Sequence, residues 1–287
     1  MTVDVKVIHA FSHKNAGGNP AGVVFNAGRL TNDQKQLIAA KAGFPETAFV
    51  SPSLIADYKL EFFTPTRQIA HCGHATIATY AYLKSVGKIP GEHSSKETID
   101  GIRSIRFKGT RAYMEQRAPT FTEPSTPRDE ILRSLHISQD ALLPKLEPAV
   151  VNTGNAFLVI PVKDETALAR IDYDRDAVYK ISEQLGLIGY YLYTPANGLF
   201  DATTRMFAPL YGIDEEAGTG MAAGPLACYM NKIAKNKKEI FQIQQGLLMP
   251  KPSPSLIQVE LEMEGSEIKG LFAGGSAYVS QTVMVEI

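Results

Sequence analysis

The sequence predicts a mixed protein of strands and helices folded as two similar halves, and three echoes along the chain predict it. Gly18-Asn19-Pro20-Ala21-Gly22-Val23-Val24 is echoed by Gly154-Asn155-Ala156-Phe157-Leu158-Val159-Ile160. Phe63-Thr64-Pro65 is echoed by Phe207-Ala208-Pro209. Gly73-His74-Ala75-Thr76 is echoed by Gly220-Met221-Ala222-Ala223, and each of these leads into an alanine-rich helical stretch. Three matches in the same order, at equivalent strand–turn–helix positions, point to an internal duplication. Halves related in this way are expected to face each other, and ligand pockets favour such interfaces.

Each element follows from local pattern. Val3 to Phe11 alternates with period two and reads as a strand, and Ala21 to Phe25 as a second after the Gly17-Gly18-Asn19-Pro20 turn. Thr31-Asn32-Asp33-Gln34 is a capping box that opens a helix to about Ala42. Gly43 ends that helix and Pro45 blocks its continuation. A strand over Thr47 to Ser51 then places Glu46 at a helix-to-strand corner. Tyr58 to Thr64 is a strand stopped by Pro65, and Ala75 to Val86 a helix of small residues. Ile102 to Lys108 and Arg111 to Gln116 form a hairpin around Gly109-Thr110. Ala118 to Pro127, rich in proline and threonine, reads as the interdomain linker. The expected domains are 1–118, with the C-terminal strand 277–287 a candidate to join it, and 119–276.

Composition excludes several classes. The 287 residues are 44% hydrophobic and 21% charged, the mix of a soluble globular chain long enough to bury a core without disulfide or metal staples. A net charge of −1 offers no basic face to nucleic acid. No apolar run is long enough to span a membrane, and the alternating N-terminus does not read as a signal peptide. Two cysteines, Cys72 and Cys228, make no disulfide framework, so the expected setting is cytoplasmic and reduced.

Chemistry concentrates at two glycine-rich turns, Cys72-Gly73-His74-Ala75-Thr76 and Gly218-Thr219-Gly220-Met221-Ala222. Each begins a helix, where free N–H groups and the positive dipole end suit a carboxylate or phosphate. The same pattern also serves simple helix starts with glycine for close packing. Neither turn is a P-loop and GxGxxG is absent, so nucleotide binding is not expected. Glu46, between Pro45 and the apolar Ala48-Phe49-Val50, is a carboxylate suited to proton transfer if buried, and a strand cap if exposed. Asp214-Glu215-Glu216 precedes the second turn, where three acids more often form a solvated loop or complement the helix dipole; only the duplication directs Glu216 toward the same cleft as Glu46. His71 and His74 have HxxH spacing without a usual third ligand, so no metal is expected. His74 is placed to donate to a bound carboxylate. Cys72, if exposed at its helix N-terminus, would be acidified, and Cys228 reads as core.

At these residues the chain resembles the PhzF-like isomerases, named for an enzyme of phenazine biosynthesis, which have the diaminopimelate epimerase fold. The resemblance spans essentially the whole chain. It rests on Gly18-Asn19-Pro20-Ala21, Glu46-Thr47-Ala48-Phe49-Val50, Phe63-Thr64-Pro65, Cys72-Gly73-His74-Ala75-Thr76, Arg205-Met206-Phe207-Ala208-Pro209 and Thr219-Gly220 before Pro225-Leu226. It implies an α+β fold of two similar domains, each an antiparallel, barrel-like sheet around a central helix. It implies Glu46 as general acid/base, an assisting acid at Glu216, and substrate contacts at Asn19, Gly73, His74, Thr219, Gly220 and Met221. Two departures stand out. Glu215-Glu216-Ala217 replaces the family's Glu-Asp-Pro, and Met221 replaces the serine after Thr-Gly. The longer Glu216 still exchanges protons with a reach changed by one methylene, whereas Met221 removes a hydroxyl, which argues against the phenazine precursor as substrate.

The expected activity is therefore cofactor-independent proton-transfer isomerisation of a small anionic metabolite by a homodimer. Two alternatives accompany it. A racemase with two opposed thiols would need a second cysteine, which the turn at Gly218–Ala222 does not supply. A non-catalytic metabolite- or protein-binding member of the fold would account for Glu216 and Met221 as drift.

Overall fold

In a computed structural model, all 287 residues are described, and the chain divides into two compact units: Met1–Glu115 with Gly274–Ile287, and Gln116–Ala273. The first contains β1 (Thr2–Ser12), β2 (Asn19–Val24), α1 (Asn32–Ala42), β3 (Thr47–Pro52), β4 (Tyr58–Phe63), β5 (Gln68–Ile69), α2 (Gly73–Ser85), β6 (His93–Thr98), β7 (Gly101–Lys108) and β8 (Arg111–Arg117). The second contains β9 (Thr120–Thr122), α3 (Arg128–Ser134), β10 (Ala149–Asn152), β11 (Ala156–Pro161), α4 (Glu165–Ala169), α5 (Arg175–Leu185), β12 (Gly189–Pro195), β13 (Ala202–Phe207), α6 (Gly220–Lys232), β14 (Ile240–Gln245) and β15 (Ser255–Glu264). The last strand, β16 (Glu267–Glu286), gives its final stretch to the first unit, where Ser276 to Glu286 pairs antiparallel with β1.

The duplication is visible in the pairing rules of the strands. In the first unit β1 is antiparallel to β2, β2 parallel to β3, β3 antiparallel to β4, β4 parallel to β6, and β6 antiparallel to β7. The second unit runs the same sequence of senses through β10, β11, β12, β13, β14 and β15. Parallel neighbours need a crossover, and helices supply it: α1 and α2 in the first unit, α4 with α5 and α6 in the second. In the first unit β16 neighbours β8 and also pairs with β1, which closes the sheet and removes its edges.

The helices that follow the two glycine-rich turns are the central ones. All of α2 is buried except Tyr82, Lys84 and Ser85, and all of α6 except Met221 and Lys232. That explains their composition. A helix enclosed on all sides carries no polar face, and alanine and glycine let strands approach closely. The crossover helix α5 instead shows one buried stripe, Val178, Ile181 and Ser182, with Asp174 capping its start and Gly186 ending it in the left-handed conformation.

Local signals hold where they were read. Thr31 and Gln34 form the reciprocal capping box, with Gly43 the left-handed cap of α1. The linker segment is more ordered than its composition suggests, since Thr120–Thr122 pairs with β10. The first unit's core gathers Val5, Val24, Ile38, Phe49, Phe63 and Val285. The second unit's larger core gathers Leu158, Ile160, Val178, Ile181, Leu192 and Phe207.

Candidate active site

The first unit brings Glu46, Cys72, Gly73 and His74 together. Glu46 is the last residue before β3, and its carbonyl accepts from Gly22 N–H at 3.0 Å, which locks the corner against β2. A Cβ on Gly22 would meet Thr47 Oγ1 at 2.8 Å, so the two strands lie too close for any side chain there. Glu46 is only 8% exposed. His74 sits in the first turn of α2, 5% exposed, with Nε2 3.3 Å from Glu46 Oε2 and Nδ1 3.6 Å from Cys72 Sγ. The imidazole thus lies between a thiol and a carboxylate.

Cys72 does not meet the condition for acidification, which is exposure. It is buried, and burial pushes its thiol up; His74 opposes this, and the Glu46 charge adds a smaller push in the same direction as burial. When the protonated thiol is the donor to Nδ1, the ring proton stands on Nε2, facing Glu46. The ligand atoms of Glu46, Cys72 and His74 lie within 4.8 Å of one another, spacing that a metal ion could in principle use. The ring turns a different nitrogen to each partner, Nδ1 to the thiol and Nε2 to the carboxylate.

Cys72 occupies the N-cap position of α2 in an extended conformation without a side-chain capping hydrogen bond, although the Ala75 amide acts on its thiol. Thr76 turns its hydroxyl back to Cys72 C=O at 2.6 Å, tightening the turn. The N–H groups at Gly73 and His74 belong to the positive end of a buried helix. Asn19 opens β2 and is 4% exposed. It follows Gly18 (φ +88°), whose Cβ would stand 2.6 Å from Ala10 C=O, so only glycine fits that turn.

The second unit builds a parallel arrangement with different side chains. Thr219 occupies the N-cap position of α6 without capping it, because its hydroxyl donates instead to the Glu216 carboxylate. Gln245, wholly buried at the end of β14, organises this turn. Its Oε1 accepts from Thr219 N–H at 3.0 Å and Tyr191 Oη at 2.9 Å, and its Nε2 donates to Glu216 C=O at 2.7 Å and Thr219 Oγ1 at 3.0 Å. Gly246 (φ +78°) follows, where a Cβ would strike Ala217 C=O at 2.6 Å. Gln116 Nε2 donates to Gly220 C=O at 2.9 Å, and Asn155 Nδ2 to Met221 Sδ at 3.4 Å.

The acidic triplet divides into three roles. Asp214 is exposed and pairs with Arg175 at 3.0 Å. Glu215 makes a bidentate pair with the largely buried Arg205, both bonds 2.8 Å. Glu216 alone belongs to the turn. Gln245, Gln116 and the buried Lys96 were not legible in the sequence, since each lies in an ordinary strand pattern far along the chain from the turn it supports.

Comparisons with known proteins agree over the whole length. Residues 8–282 match the family model described as phenazine biosynthesis-like protein (PhzC-PhzF). The chain is 35% identical over 242 residues, 80% of each chain, to a protein named uncharacterized isomerase YddE from Escherichia coli O157:H7. It is 28% identical to the trans-2,3-dihydro-3-hydroxyanthranilate isomerase of Pseudomonas chlororaphis, covering 88% of this chain and 89% of that one. The crystal structure of a Bacillus anthracis phenazine biosynthesis protein of the PhzF family superposes with TM-score 0.89 at 26% identity, over the full length of both. A hydroxyproline epimerase from Agrobacterium vitis, at TM-score 0.61 and 11% identity over 99% and 92% of the chains, shares the fold.

Proposed function

Because this chain belongs to the phenazine biosynthesis-like (PhzC-PhzF) family and is an isomerase of that family, we propose that it moves a proton on a small carboxylate metabolite with Glu46 as the acid/base group. The observation that carries this reading is the 3.3 Å contact of Glu46 with His74 beside the uncapped start of α2. A carboxylate, an imidazole and helix-terminal amides then stand within one buried turn.

In the proposed reaction the substrate carboxylate is held by the amides of Gly73 and His74. Glu46 takes a proton from a carbon conjugated with that carboxylate. The C–H bonding pair passes into the substrate's own π-system, and the developing enolate charge is stabilised by the same amides and by the His74 Nε2 proton. Glu46, now protonated, returns the proton at the far end of the allylic system. Atoms and electrons balance without a cofactor. Thr219, Gly220 and Met221, with Asn19, are assigned further substrate contacts, and Glu216 the assisting acid. Its hydrogen bond from Thr219 supports a carboxylate that is held in place rather than solvated.

Met221 offers no hydroxyl to a polar substrate group where the resemblance leads one to expect a serine, so trans-2,3-dihydro-3-hydroxyanthranilate serves as the reference and not as the expected best substrate. A thiol racemase is disfavoured: burial raises the Cys72 thiol, and Cys228 is fully buried inside α6.

The test is turnover in D2O, followed by proton NMR, of that reference and of small unsaturated carboxylates. Wild type is expected to incorporate deuterium at the protonated carbon of at least one, and Glu46→Gln to lose this completely. Wild-type-like incorporation by Glu46→Gln sinks the proposal.

A further inference from the structure

Lys96, on β6, is an unusual lysine: its side chain is wholly buried and its hydrogen bonds go to neutral groups only. Nζ lies 2.8 Å from Thr76 Oγ1 and 3.2 Å from His71 Nδ1, and 5.5 Å above the Phe62 ring. Phe62 in turn meets the His71 ring edge-on at 6.4 Å. A lysine boxed in this way is costly to the fold, because its charged form has been taken out of water without a carboxylate in ion-pair contact. Methionine or leucine would fill the same space without that cost.

The two partners explain what the position does. His71 immediately precedes the Cys72-Gly73-His74 turn, and Thr76 closes it, its hydroxyl donating a hydrogen bond to Cys72 C=O at 2.6 Å. One amine therefore holds both ends of the turn, and the hydroxyl relays that hold to its middle. His71 can accept at Nδ1 because its ring is kept neutral, held well below the usual imidazole range by burial and by the Lys96 and Arg103 charges.

We propose that Lys96 is a positioning residue, a buried amine clamp that fixes the His71–Thr76 segment and through it the Gly73 amide and the His74 ring. The inference rests on the reading of that segment as the substrate-binding turn. The groups that bear on the amine are His71 and Cys72 before α2, Arg103 on β7 and Asp100 in the β6–β7 turn. Burial, the largest influence, pulls the Lys96 amine down to about 7, so its charge changes close to neutral pH.

The experiment compares wild type with Lys96→Met, which keeps the length of the stem and removes both hydrogen bonds. Backbone 15N shifts of Cys72 to Thr76 are followed from pH 5.5 to about 9, together with hydrogen exchange at the same amides. In wild type the shifts step with a midpoint near 7. In Lys96→Met the step disappears, and exchange at Gly73 to Thr76 quickens about tenfold or more relative to the rest of α2. With a substrate that wild type turns over, kcat falls about 10- to 100-fold while KM changes little, as expected for misplaced catalytic groups.

A folded Lys96→Met protein with the wild-type step and wild-type exchange overturns the clamp. Should Lys96→Met fail to fold, Lys96→Gln keeps a polar group in the cavity without the titrating charge: loss of the step with faster exchange at Gly73 to Thr76 supports the clamp, and a retained step with wild-type exchange overturns it. Absence of turnover in wild type would bear on the isomerase reading alone, since the NMR readouts need no substrate.

Discussion

His74 Nε2 stands 3.3 Å from Glu46 Oε2 while its Nδ1 stands 3.6 Å from Cys72 Sγ, so a single imidazole joins the corner before β3 to the first turn of α2. The ring therefore faces the thiol with one nitrogen and the carboxylate with the other. Replacing His74 by Gln keeps a donor toward Glu46 but loses the ring's two-sided geometry. Turnover is expected to fall about 100-fold, the range associated with one oriented donor or acid/base group, with folding intact by circular dichroism. Wild-type kcat in His74→Gln would refute its assigned role.

Cys72 separates the two catalytic readings. Serine in its place still offers a donor to Nδ1, so Cys72→Ser is expected to keep kcat within about tenfold of wild type. A thiol-based racemase would lose activity by orders of magnitude. The buried, raised thiol should also react slowly with a disulfide reagent at pH 8 in the native protein, and promptly once unfolded.

Lys96 gives the fold a pH dependence whose sign is fixed. Its folded value, about 7, lies below the ordinary lysine value of 10.5. Between these the unfolded chain holds a proton that the folded chain does not, so stability rises with pH through this window and the cost is fully present below it. The slope contributed is at most about 1.4 kcal/mol per pH unit. Urea denaturation at pH 7 and pH 9 should show this rise in wild type relative to Lys96→Met; parallel profiles would refute it.

The Arg205–Glu215 pair is bidentate and mostly buried, with side chains 9% and 11% exposed. Arg205 also donates to Ile171 C=O at 2.7 Å and stacks on Phe207. Glu215→Ala strands the guanidinium and is expected to cost about 3–5 kcal/mol in denaturant unfolding. Asp214→Ala, an exposed neighbour, should cost no more than about 1 kcal/mol.

Gln245 orders the second glycine-rich turn through four hydrogen bonds. Gln245→Leu leaves the buried Thr219 amide and Glu216 carbonyl without these partners, at a cost of about 1–3 kcal/mol for each group left unsatisfied. Lowered stability with faster exchange at Thr219 is the expected result. A variant as stable as wild type would show that the network carries little.

How much was legible follows from the range of each interaction. The capping box at Thr31, the glycine cap at Gly43 and the hairpin at Gly109 are set by neighbours a few residues away, so the sequence reveals them directly. Repetition of Gly-Asn, Phe-x-Pro and Gly-x-Ala in the same order pointed to the duplication that the strand senses show. The acidic triplet was less readable. Nothing local tells that Asp214 meets solvent, Glu215 meets Arg205 and Glu216 meets Thr219.

By itself, then, the sequence determined the duplicated plan, the two buried helices and the turns that begin them, because backbone preferences and side-chain periodicity act over short stretches. Only the tertiary structure decided that Cys72 is buried against His74, that Gln245 reaches back to Thr219, and that Lys96 lies under the first turn of α2. Those pairs join residues from different elements. Their chemistry depends on desolvation and on distances of about 3 Å, and both are properties of the packed molecule rather than of the residue types.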